Sequence, residues 1–78
     1  LRKALGREPD HVEGWMQLAI AYGRLGQTAN ADLASAEASI ARGDLKNAQF
    51  LAGRAKTKFK AGSPGWLRAD DITKYKPQ

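Results

Sequence analysis

Apolar residues recur along this chain at helical spacing. Val12, Trp15, Ala19 and Tyr22 stand three and four residues apart, with Leu18 and Leu25 beside them, which predicts a helix over about 12–25. Ala31, Ala34, Ala38 and Ala41 form one line over about 28–42, and Leu33, Ala36 and Ile40 form a second. At about 100° per residue the two lines lie on nearly opposite faces, so this helix is expected between two neighbours, with backbones close on the alanine side. Ser39 falls on its polar side. A third helix over about 45–60 aligns Leu45, Ala48, Ala52, Ala55 and Phe59, and a short helix from Ser63 turns Trp66, Ala69 and Ile72 inward. The predicted fold is all-α, with about three main helices plus a short C-terminal one.

The residues between these patterns supply starts and stops. Asp10 is a candidate cap for the first helix, with Glu13 as capping-box partner, and Gly26 suits the left-handed residue past its end. Asp44 is placed to cap the third helix and Gly62 to close it, while Ser63 caps the last helix with Pro64 as its first residue. Asp70 and Asp71 are expected in the first turns of that helix, where negative charge suits the dipole. Short connections make successive helices antiparallel hairpins. Gly26 and Gly43 are 17 residues apart and Pro9 and Gly43 are 34 apart, a half-repeat and a whole one. The expected division is 1–9 as the tail of a preceding helix, 10–62 as helical repeats, 63–73 as a capping helix and 74–78 as a frayed tail.

The chain has 78 residues and no cysteine, so a single small unit must be held by helix packing without disulfides or thiolate metal sites. It opens at Leu1, inside an apparent helix and without an initiator methionine, so a piece of a longer protein is expected. No run approaches the roughly 20 apolar residues of a membrane-spanning helix. The net charge of +5 is uneven: Lys46, Arg54, Lys56, Lys58 and Lys60 follow one another without an intervening acid. Such a run usually forms a solvated helix face, and nucleic acid is not an expected partner.

One histidine, His11, rules out the paired histidines of a zincin motif within this chain. Asp70 and Asp71 are adjacent and diverge by about 100° on a helix, Ser63 is accounted for as a cap, and the glycines match no phosphate-binding spacing. No catalytic, cofactor-binding or metal-ligating residue is therefore assigned. What remains is Met16, Ile20 and Arg24, with Glu13 and Gln17, on the first helix away from its core stripe. An apolar patch with flanking charge suits capture of a protein or peptide; packing against a preceding helix is the alternative.

Trp15-x-x-Leu18-Ala19-x-x-Tyr22, then Gly26, Ala31 and Ala38, resembles the tetratricopeptide-repeat pattern. The resemblance implies a right-handed superhelix of antiparallel helical hairpins that binds proteins, with Trp15, Leu18 and Tyr22 as knobs and Ala19, Ala31 and Ala38 as the small sites that admit a facing helix. Ala4-Leu5 and Pro9-Asp10 continue it backward, since Ala38, Gly43 and Asp44 match them 34 residues on. Ser35, Gly43, Gln49 and Ala52 depart from the pattern, so one clear repeat and one degenerate one are expected.

Tyr22-Gly23-Arg24-Leu25-Gly26, Ala41-Arg42-Gly43-Asp44-Leu45 and the stretch from Gly62 through Trp66 to Ile72 also resemble the C-terminal end of bacterial CAAX-protease-like gluzincins. These zinc metallopeptidases carry tetratricopeptide repeats after their protease domain. That resemblance implies an envelope or periplasmic location, zinc ligands upstream of Leu1, and a binding role for this segment toward substrates or the protease domain. The alternatives are a non-protease scaffold, such as an envelope or cytochrome-maturation chaperone module, and docking of the basic segment to nucleic acid or anionic lipid.

Overall fold

The computed structural model describes the backbone of residues 4–75 and the side chains of residues 12–75. It contains four helices, α1 (Ala4–Arg24), α2 (Thr28–Arg42), α3 (Leu45–Lys58) and α4 (Pro64–Thr73), and no strand among the described residues. The all-α expectation holds, with three long helices and one short one. α2 lies between α1 and α3, α4 packs on α3 and touches α2, and among the described residues α1 makes no contact with α3. The result is a flattened body of 39 × 34 × 18 Å.

The turns follow local chemistry. Gly26 takes φ +78° after α1, and the Gln27 amide donates to the Tyr22 carbonyl at 2.9 Å, closing the helix with a left-handed residue. Gly43 repeats the device after α2 at φ +83°, with the Asp44 amide donating to Ser39 at 2.8 Å. The Asp44 carboxylate accepts from the Asn47 amide, and the Ser63 hydroxyl from the Trp66 amide with Pro64 at the first helical position.

The start of α1 differs from expectation. The helix does not begin after Asp10 but runs unbroken from Ala4 through Pro9 and Asp10. Pro9 has no N–H to donate to the Leu5 carbonyl and Gly6 is a poor helix former, so local propensity does not account for this continuity. The capping role of Asp10 therefore fails on the backbone alone.

The core belongs to α2, α3 and α4. Ala36, Ala48, Ala52, Ala55, Ala69 and Ile72 are fully buried, ringed by Leu33, Ile40, Leu51 and Phe59. Methyl side chains let three helices approach closely, and among the described residues Ile72 is the one large apolar side chain wholly enclosed. The Phe59 ring lies over Gly65 so closely that a Cβ there would sit 2.9 Å from Cδ1, which explains glycine in the first turn of α4.

Polar contacts fasten α4. Arg68 grips Glu37 of α2 through two bonds of 2.6 and 2.8 Å, and that bond raises the guanidinium pKa above its ordinary value. Lys56 of α3 donates to Asp70 at 2.7 Å and stands 4.9 Å from the Trp66 ring centroid. Gln49, the departure from the repeat pattern, donates its side-chain amide to the Tyr75 carbonyl at 2.6 Å, and at 3.4 Å to those of Ile72 and Thr73. It closes the end of α4, where an aromatic would have no such function.

Two expectations for this end are corrected. Asp70 and Asp71 lie in the last turn of α4, where negative charge opposes the helix dipole. Three cations offset it: Lys56 and Lys74 on Asp70, and Arg68 on Asp71 at 3.3 Å. The frayed tail does not begin at Lys74, because the Lys74 amide donates to Asp70 and Tyr75 is held by Gln49; residues 76–78 lie outside the described ones.

Candidate functional site: a groove across three helices

Because α2 separates α1 from α3, a furrow is left above α2. It encloses about 200 Å³ and is lined by Met16 from α1, Ser35, Ala38 and Arg42 from α2, and Asn47 and Leu51 from α3. Its walls are apolar at Met16 and Leu51, its floor is small and hydroxylated, and Arg42 supplies the one charge on its lining. Ser39, expected on the polar side of α2, is only 1% exposed and accepts from the Asn47 side-chain amide at 2.8 Å. Residues that look polar along α2 thus lie beneath the furrow, and that bond pins α3 to its floor.

The predicted binding residues divide. Met16 lines the furrow and is 45% exposed, while Ile20 is 50% exposed on the same helix but off the lining. Glu13, Gln17 and Arg24 are exposed and do not line it. Of the predicted packing residues, Trp15, Ala19, Tyr22, Ala31 and Trp66 are half-buried and Ala38 is buried. Leu18 is not a buried knob; it is 43% exposed, since among the described residues α1 has a neighbour on one side only. The side chain of His11 lies outside the described ones.

Leu51, Asn47, Ser35 and Arg42 were not singled out by periodicity, since they come together only when α3 folds back along α2. Phe50, an aromatic off the line of Ala48, Ala52 and Ala55, is 62% exposed on α3 and does not line the furrow. The Arg54 guanidinium lies 5.8 Å from its ring centroid.

The basic segment does not form one open patch. Asp32 of α2, 8% exposed, receives Arg54 at 3.1 Å and Lys58 at 2.8 Å, while Lys56 is engaged with Asp70. Three of the five cations therefore tie helices together. Among the described residues no three histidine, cysteine or acidic side chains are grouped to hold a metal ion, and no helix is long and apolar enough to cross a membrane.

Compared with protein-family models, curated proteins and solved structures, the chain matches none. The functional reading therefore rests on the geometry. A furrow with two apolar walls, hydrogen-bonding side chains on its floor and a cation on its rim suits a short stretch of polypeptide better than a reacting small molecule.

Proposed function

We propose that this chain is a protein-interaction module that takes a segment of a partner protein in the furrow above α2. The carrying observation is the placement of Met16 and Leu51 on opposite walls with Arg42 on the lining. A partner segment would set one apolar side chain between the walls and a carboxylate against Arg42, which makes no ion pair among the described residues. The reading extends the tetratricopeptide resemblance, in which stacked hairpins display such a surface.

The experiment is selection of displayed peptides on the immobilised chain, followed by binding to variants. Selected peptides are expected to pair an apolar with an acidic residue and to lose about tenfold or more in affinity for Met16→Ser/Leu51→Ser, with a smaller loss for Arg42→Gln. Peptides bound equally well by all variants would remove the furrow from consideration.

On the second resemblance, the module belongs to a zinc metallopeptidase of the bacterial envelope and positions protein substrates for chemistry done elsewhere. A His-Glu-x-x-His helix encoded upstream of Leu1 in the parent gene supports that reading, and its absence leaves the non-protease scaffold. Docking of nucleic acid or anionic lipid is less favoured, since Arg54, Lys56 and Lys58 already have carboxylate partners.

A further inference from the structure

The outer flank of α1 bears a second pattern, independent of the furrow. Gly14, Leu18, Ala21 and Leu25 follow one another at spacings of four, three and four, and the Leu25 amide still donates to Ala21 at 3.1 Å, so the helical path reaches Leu25. At about 100° per residue the four fall within a sector of about 60°, with the alternating step of a coiled-coil seam. All four are exposed, Leu18 at 43% and Leu25 at 71%, and among the described residues α1 touches no helix but α2.

The seam is complementary to itself in one orientation. If a second α1 lies antiparallel about a two-fold between residues 19 and 20, Gly14 faces Leu25 of the second copy and Leu18 faces its Ala21. Large meets small at every level, and a Cβ at Gly14 would meet nothing within 4 Å, leaving open space for a leucine. Glu13, Gln17 and Arg24 run along one edge of the seam; Trp15 and Tyr22, half-buried by α2, form the other. In the antiparallel arrangement Glu13 of each copy comes within about 3 Å along the axis of Arg24 of the other, two residues of rise. A parallel pair would instead set the edge of Glu13 and Arg24 against the Trp15 and Tyr22 edge of the second copy, where neither charge finds its opposite. Neither residue makes an ion pair among the described residues.

We propose that two copies of this chain associate through an antiparallel, two-fold α1–α1 contact in which Leu18 and Leu25 fill the spaces at Ala21 and Gly14 and Glu13 pairs with Arg24 across the axis. The interface is isologous, so each favourable pair occurs twice. It covers the flank away from Met16 and leaves the furrow open.

Sedimentation equilibrium of the intact chain over a wide concentration range tests this. The wild type should reach a monomer–dimer equilibrium, and Leu18→Lys should abolish it. Arg24→Glu should weaken it roughly tenfold by placing two acids together at both ends of the seam, and adding Glu13→Arg should recover most of the loss by restoring the pairs in reverse. Met16→Ser should leave association unchanged. A chain that stays monomeric throughout, a Leu18→Lys variant that dimerises like wild type, or a charge swap no better than Arg24→Glu alone would each overturn the proposal. Because the readout is self-association, its failure says nothing of peptide capture in the furrow.

Discussion

The first and last helices both sit at an edge of the same body, yet they are held in opposite ways. α4, ten residues long, buries Ala69 and Ile72 completely, is gripped by Arg68–Glu37 and Lys56–Asp70, and has its last carbonyls met by Gln49. α1, twice as long, has no fully buried residue among its described side chains and leaves Met16, Leu18, Ile20 and Leu25 facing outward. Length does not decide which helix is better anchored; the number of sides with a neighbour does. One edge is closed by its own side chains, and the other carries apolar surface without a partner among the described residues, which is where interaction is expected.

The strongest way to break this contrast is at Ile72. It is 0% exposed at the junction of α2, α3 and α4, surrounded by alanines too short to collapse into the space it fills. Ile72→Ala should cost about 2–5 kcal/mol in chemical denaturation, a large share of what a domain this small holds. A loss below about 1 kcal/mol would mean that the α4 edge is not closed by packing.

A smaller effect concerns the ionic half of the same closure. Hydrogen bonds from Lys56, and secondarily Lys74, hold the Asp70 carboxyl below its ordinary value of 3.8. A depressed folded pKa contributes stability that is full above the ordinary carboxylate range and is lost as pH falls through the folded value. Thermal melts of wild type and Asp70→Asn should differ at neutral pH, with the wild type more stable, and converge below about pH 4 as the carboxyl of the wild type is protonated. A constant gap across that window would assign the difference to the substitution's shape and not to charge.

The contrast also explains what could be read from the residues alone. The α3 and α4 starts were legible because Asp44 and Ser63-Pro64 act within one turn, and the Ala48–Ala52–Ala55 line because alanines at helical spacing have few uses other than close packing. Pro9 is not a boundary: α1 runs through it in spite of the missing donor. Asp70 and Asp71 do not belong to the first turns even on the expected bounds of 63–73: they lie six and seven residues past Pro64, in the last turn of a ten-residue helix. The furrow was legible only at Met16, since Leu51, Asn47 and Ser39 meet through the antiparallel return of α3. Apolar periodicity indicates which side of a helix seeks cover, and it is silent on whether a neighbour arrives; Leu18 is the case where none does.

Leu18 therefore gives the smallest expected effect and the sharpest test of the open edge. In a buried repeat interface, replacing such a leucine by alanine costs about 2–5 kcal/mol, because the removed carbons leave a cavity. Here the side chain is 43% exposed at the margin of the Val12, Trp15, Ala19 and Tyr22 stripe, so little packing is lost and alanine is the better helix former. In dilute solution, where self-association is negligible, Leu18→Ala should stay within about 0.5 kcal/mol of wild type. The measurement must be repeated at high concentration. If stability then separates the two proteins while the dilute values agree, the leucine acts through a second molecule; if the dilute values already differ by as much as Ile72→Ala, α1 is closed from within and the contrast between the two edges disappears.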